Sequence, residues 1–192
     1  MNFPILSSLI ILPSLGALFL LFLKNDNSSN YRSSKYVSLF VTFSNFLISL
    51  YLWYLFDSSN PEFQFIEEKV WIREFVNYKI GIDGISILFI LLTTFITPIC
   101  IILINNTVKI RLKEFLISVL ILESLMIGVF CSLDLFIFYL FFEGGLIPMF
   151  LIIGIWGGNR RVYSAFKFFL YTLLGSVLML IAIITIYWLT GT

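Results

Sequence analysis

The chain has 192 residues, of which 60% are hydrophobic and only 12% charged. That balance excludes an ordinary soluble domain, which needs far more polar surface to cover its core. Twelve basic and eleven acidic side chains nearly cancel and there is no histidine, so neither a global field for nucleic acid nor the commonest metal ligand is available.

A helix crossing a hydrocarbon core of about 30 Å needs roughly 20 apolar residues. Six stretches meet or approach this, near Phe3–Leu23, Tyr36–Phe56, Ile82–Ile104, Phe115–Cys131, Leu135–Trp156 and Val162–Leu189. The predicted fold class is therefore all-α, a polytopic transmembrane helix bundle of about six helices in one domain, residues 1–192. The first stretch follows Met1-Asn2-Phe3 with no basic n-region and no small-residue cleavage site, so it reads as a permanent span rather than a signal peptide. Lys24–Lys35 is polar and Asn/Ser-rich, a predicted surface loop. Asp57–Gly81 is the one sizeable extramembrane segment. Its Phe63-Gln64-Phe65 alternates as a strand does, whereas Ile66–Tyr78 fits a short interfacial helix, and both readings stay open. In the third stretch Pro98 follows Thr93, Thr94 and Thr97, whose hydroxyls can serve backbone groups freed by a proline kink.

The fourth and fifth stretches are separated only by Ser132-Leu133-Asp134, which predicts an antiparallel helical hairpin. Gly154 and Gly158 stand before Asn159-Arg160-Arg161 and read as turn and packing residues. Cys100 and Cys131 lie in apolar runs and are expected to be buried thiols acting as small hydrophobes. Lys24, Arg32, Lys35, Lys109, Arg111, Lys113, Arg160 and Arg161 fall on one side, and only Lys69, Arg73 and Lys79 on the other. The positive-inside bias turns the first set toward bacterial cytoplasm or mitochondrial matrix, with both chain ends outside.

Few ionisable groups fall inside the spans. Glu143, in Phe142-Glu143-Gly144-Gly145-Leu146-Ile147-Pro148, lies about ten residues past the hairpin turn, roughly 14 Å deep at 1.5 Å per residue. A carboxylate at that depth costs a few kcal/mol unless protonated, paired or hydrated. It is either a proton-handling group or a protonated acid satisfied by a neighbouring helix. Pro148 has no N–H for the carbonyl of Gly144, so Gly144 and Pro148 mark a candidate helix break beside Glu143; a simple packing kink is the alternative. Glu123 lies about as far before the turn, at similar depth on the preceding helix. If the two carboxyls face each other they share a proton and titrate as a unit; Glu123 could instead meet another subunit. Lys167, about one turn into the sixth helix, either snorkels to the headgroups or serves as a cationic partner. Asp83 and Asp134 read as helix caps or surface groups. No phosphate-binding loop, nucleophile–base pair or Cys/His cluster appears, which argues against self-contained catalysis.

Several runs together resemble a known family: Gly128–Leu135, Phe138–Met149 around Glu143, Ile153–Gly158, and Phe166–Ser176 with its Lys167-Phe168-Phe169. Gly81-Ile82-Asp83-Gly84-Ile85-Ser86 fits the start of the third helix. The chain resembles the antiporter-like chain 4 (M) subunits of proton-pumping NADH:quinone oxidoreductase, respiratory complex I, densely from Gly81 to Ser176 and more loosely before. The resemblance implies a membrane-arm subunit coupling quinone reduction to proton translocation, in a bacterial or mitochondrial inner membrane. It assigns Glu143 to the family's helix-five glutamate, Glu123 to its helix-four glutamate, and Lys167 to its helix-six lysine. NAD, FMN, iron–sulfur clusters and quinone would then belong to other subunits, with no cofactor or metal in this chain.

Members of that family have about fourteen helices, so this sequence lacks helices seven onward and the lysines they carry. The expected partners are other membrane-arm subunits and a second polypeptide bearing the missing helices; a truncated copy is the alternative, and by itself the chain is expected not to pump. A subunit of a multisubunit sodium/proton antiporter and a non-transporting scaffold remain competing readings.

Overall fold

The computed structural model describes residues 4–23, 28–72, 76–104, 108 and 110–190. Met1, Asn2, Phe3, Lys24, Arg73 and Lys109, named above, lie outside them. Among the described residues are six helices and one strand pair in the order α1 (Ile5–Phe22), α2 (Ser28–Leu55), β1 (Gln64–Ile72), β2 (Val76–Ile82), α3 (Gly84–Leu103), α4 (Leu112–Cys131), α5 (Leu135–Trp156) and α6 (Arg161–Thr190). Each helix is long and apolar enough to cross a membrane. In hydrocarbon the backbone must satisfy its own polar groups, and a helix does so within one segment.

The fifth span has the expected limits, and Asp134 caps it by accepting from the N–H groups of Phe136 and Ile137 at 2.8 and 3.2 Å. Asp83 likewise caps α3, accepting from Ser86 N at 2.7 Å. Three expectations need correction. The surface loop at Lys24–Lys35 is helical from Ser28 onward, because α2 continues past the hydrocarbon where its polar first turns can be solvated. The Asp57–Gly81 segment contains an antiparallel strand pair, with partners such as Glu68↔Lys79 and Lys69↔Tyr78, and among the described residues no helix over Ile66–Tyr78. A bulge between Gln64 and Glu67 holds Phe65 at φ 54°, which lets Glu67 swing toward α1. Cys131 is buried as expected, but Cys100 is exposed on α3.

Helices α1 to α4 form a bundle with two apolar clusters. Leu6, Leu9, Leu52, Ile80, Ile82, Ile90 and Ile127 make the one nearer the β-hairpin. Ala17, Leu20, Ile101, Ile104, Leu116 and Leu120 make the other. Close approach is achieved with glycine: a Cβ on Gly16 would stand 2.8 Å from Val41 of α2, and one on Gly128 2.6 Å from the Phe141 ring of α5. Between membrane helices such contact dispersion, not water exclusion, holds the elements together.

The two ends of the bundle differ. At the hairpin end, Leu133 N donates to the carbonyl of Lys79 at 3.0 Å, joining the α4–α5 turn to β2. Glu67 of β1 accepts from Leu6 N at 2.9 Å and from Ser7 N and Ser7 Oγ, so it serves the orphan donors in the first turn of α1. At the other end, basic side chains serve helix C-termini, where carbonyls lack donors and the helix dipole is negative. Lys113 Nζ reaches the carbonyls of Leu21 and Leu23 at 3.1 and 2.6 Å, Lys35 Nζ that of Ile102 at 3.2 Å, and Arg161 Nη1 that of Ile155 at 2.8 Å.

Helix α6 packs on α5 through Phe150, whose ring lies 5.6 and 5.3 Å from those of Phe166 and Phe169, and through Ala165 beside Gly154. Further along α6, Ser176 is buried and Thr172, Leu173, Met179, Leu180 and Ile183 are half-buried, while the other face is exposed, including Leu170, Leu174, Leu178 and Ile184.

Candidate functional site

Between the two apolar clusters lies a polar layer. Ser14 of α1 and Ser124 of α4 share a hydrogen bond at 2.7 Å, and Ser124 also donates to the carbonyl of Ile10 at 2.6 Å. Ser49 of α2 and Thr94 of α3 meet at 2.7 Å. Asn45 of α2 donates from Nδ2 to Glu123 Oε1 at 2.9 Å. Each bond crosses from one helix to another, and in membrane bundles such a bond contributes on average about 0.6 kcal/mol.

Glu123 is therefore deep in this chain, 2% exposed, with Asn45 fully buried beside it. Glu143 stands about eight residues into α5, as Glu123 stands about eight residues before the end of α4, so both are roughly 12 Å from the turn. The helices are rotated so that the two do not pair. Leu125 and Gly128 of α4 meet Gly144 and Phe141 of α5, while Glu123 turns toward α2. Among the described residues no hydrogen bond links Glu123 to Glu143.

Glu143 is half-buried, and its Oε2 is enclosed without a hydrogen-bond partner. Helix α5 runs unbroken past Pro148, so the candidate break is confined to the donor that Pro148 cannot supply to the carbonyl of Gly144. Gly144 packs against Leu125, whereas a Cβ on Gly145 would meet nothing within 4 Å. Lys167 is exposed on α6, on the side away from Ala165, and among the described residues it forms no ion pair with Glu143. The expected groups thus occupy three separate places: Glu123 inside the four-helix bundle, Glu143 at its flank, and Lys167 on the outer surface of the α5–α6 pair. Among the described residues no group of three or more His, Cys, Asp or Glu side chains gathers as a metal site would require.

Asn45 escaped the reading of the sequence. The signal was present in α2, where Ser34, Ser38, Thr42, Asn45 and Ser49 recur at helical spacing and are all buried. Those residues form its inward face.

The fold and its mid-depth carboxyls define an integral membrane helix bundle with ionisable groups held inside the span. Residues 132–192 match the family described as NADH:quinone oxidoreductase/Mrp antiporter, TM. Over 161 residues the chain is 58% identical to NADH-quinone oxidoreductase subunit M of Rhodobacter capsulatus, covering 84% of this chain and 31% of that protein. It is 49% identical over 189 residues to NADH-ubiquinone oxidoreductase chain 4 of Marchantia polymorpha, covering 97% of this chain and 38% of that one. A solved structure of the membrane-bound sulfane sulfur reductase, an archaeal respiratory membrane complex, superposes on 99% of the chain and 38% of its own with a TM-score of 0.82 at 18% identity, which shows a shared fold. The chain is homologous to the subunit M and chain 4 proteins of NADH:quinone oxidoreductases. It spans between 31% and 39% of the length of these curated relatives.

Proposed function

We propose that this chain is part of the membrane arm of a respiratory NADH:quinone oxidoreductase, coupling quinone reduction to proton translocation, with Glu143 as its proton-exchanging carboxyl. The observation that carries this is Glu143 itself: a half-buried acid near the middle of a span, with one oxygen enclosed and unpartnered. A carboxyl there is costly when ionised and isolated. A cation brought near or withdrawn changes which of its two forms is stable, and that alternation is what moves a proton.

No cation of the described residues pairs with Glu143. The reading therefore places the partner on further helices packed against α5 and α6, either in a continuation of this polypeptide or on a second one. The exposed apolar flank of α6 and the greater length of the relatives support that arrangement. Lys167, on the same exposed side, would join those helices. Glu123 is a second proton-handling candidate. NAD, FMN, iron–sulfur and quinone chemistry falls to other subunits. The basic end, with Lys35, Arg111, Lys113 and Arg161, faces the bacterial cytoplasm or mitochondrial matrix, and the β-hairpin faces the opposite compartment. Relatives named for quinone oxidoreductases favour this reading over an antiporter subunit.

The test is Glu143→Gln in the intact, membrane-reconstituted complex. Loss of proton pumping with assembly preserved supports the reading; pumping at the wild-type level overturns it and leaves the scaffold role. Mass spectrometry of the native complex should find this chain together with the additional helices.

A further inference from the structure

We propose that Asn45 and Glu123 form a buried site for one water molecule, bound between Asn45 Oδ1 and Glu123 Oε2, and that this hydrated carboxyl stores a proton separately from Glu143. The site follows from unmet hydrogen bonds. Asn45 Nδ2 donates to Glu123 Oε1 at 2.9 Å, which leaves Asn45 Oδ1 and Glu123 Oε2 both buried and both without partners. Buried polar atoms are almost always satisfied, and an unsatisfied one costs free energy that a bound water recovers. Rotating the Asn45 amide does not cure the defect. It would give Asn45 Oδ1 a partner in a protonated Glu123 but leave the amide N–H groups unpaired instead.

The ligand must serve both oxygens, and water serves them in either state of the acid. With Glu123 protonated, water accepts from Oε2–H and donates to Asn45 Oδ1. With Glu123 ionised, water donates to both. A metal cation would suit only the ionised form, and an anion neither. Glu123 also borders a cavity of about 510 Å³ between α3 and α4, lined in part by the hydroxyl-bearing Thr93 and Thr97, from which the water would come. Among the described residues no cation forms an ion pair with Glu123, so nothing compensates its charge, and the neutral acid with its water is the resting form. Asn45 is accordingly a positioning residue: it fixes which carboxyl oxygen carries the proton and holds the second hydrogen bond of the water.

The role in proton movement rests on the functional reading above; the site itself does not. Infrared difference spectroscopy on the intact complex in its membrane separates the two. A carboxylic-acid C=O band that disappears in Glu123→Gln is expected, and it should move to higher wavenumber in Asn45→Val, where its donor is lost. A buried-water O–H band that shifts in H2(18)O should be present in the wild type and absent in Asn45→Val. If Asn45→Val does not assemble, the H2(18)O shift on wild type and Glu123→Gln decides alone, because Gln keeps the carbonyl and a donor and should retain a water band at altered frequency. A wild-type complex with no Glu123-dependent acid band, or with no water band sensitive to Glu123→Gln, overturns the proposal. Pumping that survives Glu143→Gln would defeat the functional reading and leave these bands unchanged.

Discussion

The two carboxyls of the α4–α5 hairpin stand at equal depth, yet their surroundings differ. Glu123 belongs to α1–α4, where 28–44% of each span is buried and polar groups of the mid-depth layer meet across α1–α4, α2–α3 and α2–α4. Glu143 belongs to α5–α6, where only 17% and 6% of the spans are buried, and its enclosed oxygen finds no partner, whereas Glu123 has at least the amide of Asn45 from α2. A bundle that ties its acid to a neighbouring helix through Asn45 behaves as a scaffold with a stored acid. A helix pair that presents an unpartnered acid on an open flank is half of a site, completed by whatever packs there.

That contrast can be broken at several points. The largest effect is expected for Glu143→Gln, which should lower proton pumping by about a hundredfold or more, the range lost when a proton-transfer group is removed. Purified complex of normal subunit composition would show that the scaffold tolerated the change. Equal pumping would place Glu143 on the scaffold side.

The next effect is steric. Gly128→Val forces a side chain into the Phe141 ring and is expected to cost about 1–3 kcal/mol, read as a lower thermal inactivation temperature. Gly145→Ala, on the open side of the same helix pair, should change stability by less than about 0.5 kcal/mol. If both were equally harmful, the open flank of α5 would not be open in the assembled protein.

Glu67→Ala removes the carboxylate that serves the first turn of α1 and is expected to cost about 1.5–3 kcal/mol, the range for hydrogen bonds to a charged group. Limited proteolysis from the hairpin side should then cut β1–β2 sooner, while α5 and α6 keep their wild-type resistance.

The smallest effect is a pH dependence at the Asp83 cap. Its backbone hydrogen bond from Ser86 holds the carboxyl below its ordinary value of 3.8. A group lowered on folding stabilises the protein above its unfolded value and loses that contribution as pH falls through the folded one. Asp83→Ala should therefore cost about 0.5–1 kcal/mol at pH 7, and progressively less below about pH 4, measured as unfolding in detergent across that range.

Much of this was legible in the sequence alone. Span lengths follow from apolar runs, and the three-residue break at Ser132–Asp134 predicts both the hairpin and its Asp134 cap. The depth of Glu143 and Glu123 is then only counting along a helix. The hairpin in the Asp57–Gly81 segment was half legible: alternation showed at Phe63–Phe65, but the bulge at Phe65 disrupts the period that a strand would otherwise display.

By itself, then, the sequence determined the number of spans, the order of their connections, the charged end and the depth of each buried acid, because these depend on hydropathy and rise per residue along one segment. Tertiary structure alone decided which way each acid faces. Helix rotation is set by the sum of many small contacts, here glycines admitting Val41 and Phe141, and it turned Glu123 to Asn45 rather than to Glu143. It likewise chose Glu67, some sixty positions away, to serve the start of α1. No local pattern encodes such pairings, since each partner gains its bond only when two distant segments are already packed together.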